Sequence, residues 1–234
     1  MAKPSRPWIV TKHGPIVKLE DNLWVVEGEV PGVPFHRRMS IIKRADGTLL
    51  FFNAIPLEES ALAEVKEWGN PDILVVPHDQ HMIDARAFSE KLGLKVYGPK
   101  ECDAKARARA QMSGTLDAIP QDPSVRIEPV AGVKNGEPAL VVTSANGHAS
   151  LLVSDALMNN TRDSVGLFPR MMGFVGHVKI VPVFRMMFLK DKKALKGQLG
   201  RWAKMPGLTH LVPCHGDVVS SSVPEAVDAA SATL

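Results

Sequence analysis

The chain has few of the residues that would make its function obvious. Its 234 residues include two cysteines, Cys102 and Cys214, 112 positions apart, so neither a disulfide framework nor a zinc-knuckle spacing can be read. Aromatic residues make up 6% of the chain, with a single tyrosine. The net charge is only +3, and the basic residues form no groove-like stripe that would point to nucleic acid. No apolar run approaches the roughly 20 residues of a membrane span. The segment Met1 to Pro7 is basic but no apolar region follows it, so a secretory signal is not expected. The expectation is a reduced, cytoplasmic protein without a nucleic-acid or membrane partner.

What is present is apolar content of 45%, enough for one substantial core, and a single domain over 1-234 is expected. The first 55 residues read as β structure, with strand-like runs at Leu23–Gly28, Ser40–Lys43 and Leu49–Asn53. An Asp46-Gly47 turn joins the last two. A helix follows to Trp68, with Leu57, Leu62, Val65 and Trp68 at helical spacing, stopped by Gly69-Asn70-Pro71. Strands and helices then alternate. Strands are expected at Ile73–Val76, Lys95–Gly98, Val125–Val130, Ala139–Thr143, Leu151–Ser154 and Leu208–Val212. Helices are expected over Asp84–Leu92, Glu101–Met112, Asp191–Lys204 and Val223–Ala232, with residues 161 to 189 irregular. A hairpin layer followed by strand–helix alternation predicts sheets packed with helices outside.

Chemistry gathers where three of these strands end. Ile73–Val76 runs into Pro77-His78-Asp79-Gln80-His81-Met82-Ile83-Asp84, Leu151–Val153 into Ser154-Asp155, and Leu211–Val212 into Pro213-Cys214-His215-Gly216. Loops at strand ends are where a rigid sheet positions catalytic groups. His215 is the strongest single candidate, because the glycine after it permits close backbone approach. Asp155 would serve equally as a turn cap. The Met/Phe-rich stretch from Gly166 to Phe188 suits gap-filling core or a homodimer contact better than an apolar substrate wall, for which Arg170 and Arg185 would supply charge. His13, His36, His177 and His210 are read as structural or exposed, and Cys214 as packed.

The order of these elements, the terminal Pro-x-His-Gly and the Asp at the end of Val153-Ser154-Asp155 resemble the metallo-β-lactamase-like hydrolase superfamily, from about Leu23 to His215. That resemblance implies an α/β fold, the αββα sandwich of two mixed β-sheets flanked by helices. It also implies metal ligands drawn from His78, His81, Asp84, His148, Asp155 and His215. The superfamily's His-x-His-x-Asp-His loop is incomplete here. Starting the motif at His78 puts Gln80, Met82 and Ile83 at the other ligand positions. Starting it at Asp79 keeps His81 and Asp84 but puts Ile83 in place of the Asp. Asn53 stands where the family has a supporting Asp.

The expected cofactor is a divalent metal, zinc first and manganese or iron next, with Asp84 or Asp79 as the catalytic proton acceptor. The expected activity is hydrolysis of a small ester, thioester, lactone or phosphoester. The alternative is a metal-free, degenerate-site member of the fold that binds a ligand or a partner. A nuclease is disfavoured.

Overall fold

The computed structural model describes residues 7–32, 35–161 and 165–234, without the side chains of 168 and 169. Most of the basic N-terminal segment and residues 162–164 of the stretch expected to be irregular lie outside the described residues. The chain divides into two compact units. One is Met1–Gly28 with Arg38–Val125, and the other is Glu29–Arg37 with Arg126–Leu234.

The first unit holds a seven-stranded sheet in the order β1 to β7: Val17–Glu20, Leu23–Glu29, His36–Lys43, Thr48–Phe52, Asn70–Val75, Lys95–Gly98 and Gly114–Thr115. It is mixed, because β1 and β2, and β3 and β4, pair antiparallel while β4 through β7 pair parallel. The Asp46-Gly47 turn joins β3 to β4 as expected, and Thr48 N–H and Oγ1 both donate to the Asp46 carboxylate. These bonds hold the Asp46 carboxyl below its ordinary range. Helices α1 (Glu59–Trp68), α2 (Ala85–Leu92) and α3 (Ala104–Ala110) pack their apolar residues on this sheet. Gly93 ends α2 in the left-handed region, as its position predicted.

Gly69 caps α1 directly after Trp68, as expected, and its N–H donates to Val65 O. Its φ is −170°, and a Cβ there would meet Gly47 O at 2.9 Å, so it serves close packing and β5 begins at once with Asn70. The core centres on Phe51, Phe88, Ile41, Leu49 and Leu74, and each such side chain removed from water contributes about 1.5–3 kcal/mol. On the same unit, Trp24 stacks on Trp68 with centroids 3.8 Å apart, and Lys18 Nζ sits 4.4 Å from the Trp24 ring centroid.

The second unit has a four-stranded mixed sheet in the order β11-β10-β9-β8. These strands are Leu208–Pro213, Ala149–Val153, Pro138–Thr143 and Val125–Pro129. Strands β10 and β11 are parallel, with Val153 opposite Pro213, and β9 runs antiparallel to β10. Four helices belong here: α4 (Leu167–Met171), α5 (Pro182–Phe188), α6 (Lys192–Ala203) and α7 (Val223–Ala230). Helix α6 starts where Asp191 accepts from Ala194 N–H and buries Leu195, Leu199 and Trp202, the face the sequence assigned to it. Helices α4 and α5 stand inside the stretch expected to be irregular. Pro182 opens α5 in its first turn, where backbone N–H groups have no partner within the helix.

Candidate functional site

In the second unit the parallel register decides what meets. Leu151, Leu152 and Val153 lie opposite Leu211, Val212 and Pro213, and two residues further along each strand stand Asp155 and His215. The two side chains touch, with His215 Nε2 3.3 Å from Asp155 Oδ1, and both residues are buried. His215 Nδ1 lies 2.7 Å from the carbonyl oxygen of His36, which can only accept, so Nδ1 carries the proton. The Nε2 lone pair of the neutral ring therefore faces a carboxylate oxygen. Two acceptors in contact require a cation between them, either a proton or a metal ion.

Two ligands of a tetrahedral ion at about 2.1 Å lie about 3.4 Å apart, close to the separation here. A backbone carbonyl fixing the far ring nitrogen is also the usual outer-shell partner of a metal-bound histidine. The residues fit a metal. The Phe35 ring, 4.7 Å from the imidazole centroid, packs edge-on against it.

The loop that carries His215 is closed by Gly216. Its φ is 89°, and a Cβ there would lie 2.1 Å from Asn159 O. Asn159 N–H donates to His215 O and Asp217 N–H to Asn159 O, so this close approach locks the loop. The Asp155 loop has its own anchor, which the sequence reading missed. Glu137 is fully buried, and its carboxylate accepts from Ala156 N–H at 2.8 Å and from Asn135 Nδ2 at 3.0 Å. A glutamate in an Asn-Gly-Glu-Pro turn reads as surface, and the only available signal was Pro138 opening a strand directly behind it. Cys214 is buried, in keeping with its expected packing role.

His148 stands apart from this pair in the chain. It precedes β10, whereas Asp155 follows it, so the five-residue strand, about 17 Å long, lies between them. His148 is exposed in a turn, where its N–H donates to Asn146 Oδ1 and its Nδ1 lies 3.1 Å from Asn146 Nδ2. Arg170 and Arg185 are engaged as well, Arg170 Nε with Val165 O and Arg185 Nη1 with Thr233 O.

In the first unit, β5 ends at Val75 and the chain enters a single 3-10 turn, Asp79–His81, capped by His78. A 3-10 helix has three residues per turn, so positions i and i+3 eclipse, and this brings His78 and His81 together. Their ring centroids are 4.7 Å apart and their nearest ligand nitrogens lie within 4.8 Å. The pairing follows neither register of the extended motif. His78 is buried, and its Nδ1 accepts from Gln80 N–H at 3.3 Å, which puts the proton of the neutral ring on Nε2.

Asp84 is buried just before α2, whereas Asp79 is exposed. The Cys102 thiol hydrogen-bonds to Asp79. Burial and this anion together push Cys102 up to about 12, so it stays a neutral thiol. Asn53, at the end of β4, is buried with φ 68°; its Nδ2 donates to Arg38 O and its N–H to Val75 O. It thereby ties β4 to the start of the histidine loop, a job that needs a donor and no charge.

The fold is that of metallo-β-lactamases. The chain matches a crystal structure of the DIM-1 metallo-β-lactamase exposed to ceftazidime with a TM-score of 0.62 and 12% identity, covering 96% of this chain and 99% of that one. A metallo-β-lactamase from Hirschia baltica matches at 0.58 and 14%, over 93% and 98%. One from Erythrobacter litoralis, with β-mercaptoethanol in its active site, matches at 0.61 and 10%, over 94% and 96%. The αββα class expected from the sequence is the class these structures share. No protein-family model and no curated protein matches the chain.

Proposed function

We propose that this chain, with a metallo-β-lactamase fold, is a metal-dependent hydrolase of a small ester, thioester, lactone or phosphoester. The observation that carries the reading is the Asp155–His215 pair, with His215 Nδ1–H held by the His36 carbonyl and Nε2 turned to the carboxylate at 3.3 Å. Asp155 and His215 would hold a divalent ion in the second unit, and His78 and His81 are the donors the first unit offers. Zinc suits this mixture of imidazole and carboxylate best. Such an ion, when bound, would supply a hydroxide nucleophile by lowering the pKa of its water to near 7 and would polarise the bond under attack.

The rest belongs to the chain. Asp84, a buried carboxylate, suits the role of proton acceptor better than exposed Asp79, which the Cys102 thiol already engages. Glu137 and Gly216 keep the two metal-facing loops from drifting.

One observation favours the second reading, a metal-free member of the fold that binds a ligand. With Nδ1 of His78 accepting a backbone N–H, that ring must surrender its cap before Nε2 becomes a ligand. Elemental analysis separates the two. Protein produced with zinc, manganese and iron supplied, and purified without chelator, is expected to hold about one or two equivalents of one metal. Asp155→Asn and His215→Ala are expected to lose it and His148→Ala to keep it. Absence of metal in the wild type, with none taken up on titration, overturns the hydrolase in favour of the ligand binder.

A further inference from the structure

Eight large apolar side chains are exposed among the described residues, and five of them fall between positions 167 and 187: Leu167, Met171, Met172, Met186 and Met187. They form two faces that meet. Leu167 and Met171 are four residues apart on α4, and exposed Pro182 and Met186 are four apart on α5. The two helices are joined where Gly173 lies against Pro182, since a Cβ on Gly173 would sit 3.6 Å from the proline ring. Met172 precedes that junction, and Met187 continues the α5 side.

The charge around this patch is one-sided. Residues 165 to 204 carry nine lysines and arginines against a single acid, Asp191, a net charge of +8. The remainder of the chain carries 19 basic and 24 acidic residues, a net of −5. Lys190, Lys192, Lys193 and Lys196 are exposed and follow Met187 within nine residues. A second copy of this surface would bring like charge against like charge, which argues against self-pairing. Apolar side chains flanked by exposed cations match a surface that is anionic outside and apolar beneath, which is how interfacial helices engage lipid headgroups.

We propose that α4, α5 and the start of α6 dock on an anionic phospholipid surface, with the methionines entering the headgroup region and the lysines meeting lipid phosphates. The absence of a spanning segment, which led to the expectation of no membrane partner, does not bear on docking of this kind. The proposal stands apart from the metal reading, because none of its residues is a candidate ligand.

The test is co-flotation with vesicles of phosphatidylcholine, alone or mixed with phosphatidylglycerol in equal parts. Binding is expected to the mixed vesicles only and to fall as salt is raised. Met171→Ser and Met186→Ser are each expected to weaken it about tenfold. Lys193→Ala and Lys196→Ala are each expected to weaken it about fivefold. These side chains are exposed, so circular dichroism should report folded variants, and no loss of fold would mimic the result. Failure to float with mixed vesicles overturns the proposal, and so does flotation that all four variants leave unchanged. A methionine-dependent dimer in sedimentation velocity, without vesicle binding, assigns the patch to a second copy and overturns it as well. So does capture of the patch by soluble polyglutamate that abolishes flotation while the serine variants still float, which would point to an acidic protein.

Discussion

His215 and His78 both stand just past the end of a parallel strand, and both are buried, yet their rings are wired in opposite senses. His215 gives its Nδ1 proton to a carbonyl and turns a lone pair toward Asp155. His78 takes a backbone proton at Nδ1 and so keeps its own on Nε2. One imidazole is set for a cation before any cation arrives. The other is satisfied by its own loop and must trade that bond for a ligand. A histidine at a strand end is therefore a weak indicator until the partner of its second nitrogen is known.

The largest expected disruption of this contrast comes from Gly216→Ala, which touches no donor. A methyl group at φ 89° directed at Asn159 O should cost about 3 kcal/mol or more, read as a large drop in melting temperature, because backbone cannot yield as a side chain would. A near-native melting point would show that the His215 loop is not locked by that approach. Next in size is Glu137→Ala. It leaves Ala156 N–H buried without its acceptor, a cost of about 1–3 kcal/mol in thermal unfolding. It should also weaken metal binding about 10- to 100-fold by freeing the Asp155 loop. An effect on stability alone would make Glu137 a core residue and nothing more.

The finest probe leaves energy aside. Long-range 15N–1H spectra of metal-free protein at alkaline pH should show the Nδ1–H tautomer for His215 and the Nε2–H tautomer for His78. Finding one tautomer for both rings would erase the distinction.

Much of this architecture was legible because apolar runs and punctuation carry it. The Asp46-Gly47 turn, the Gly93 stop and the buried face of α6 follow from residue types alone. The Asp155–His215 pair was half legible: two strands ending in an Asp and a His were visible, but their parallel pairing in register was not. Helices α4 and α5 escaped because Met, Pro and Gly interrupt the 3.6-residue rhythm, and part of what they expose is apolar. Gly69 was legible as the stop of α1, but its close approach to Gly47 and Leu49 was not. His78 and His81 were both named as ligand candidates, but their contact was not legible, because the motif puts ligands two residues apart whereas a 3-10 turn makes neighbours of residues three apart. Glu137 was invisible for a general reason: a lone glutamate is almost never fully buried.

The Trp24–Trp68 stack has a use beyond packing. Two indoles 3.8 Å apart and 6° from parallel are close enough to couple electronically, and they belong to the first unit. The second unit has its own chromophore in Trp202, which is buried and donates Nε1–H to Glu128 at 2.5 Å. The split ultraviolet signal of the stacked pair thus reports on the first core, and the emission lost in Trp202→Phe, which keeps Trp8, Trp24 and Trp68, reports on the second. Heating the wild type and that variant side by side in both channels would follow each hydrophobic cluster separately, with no label attached.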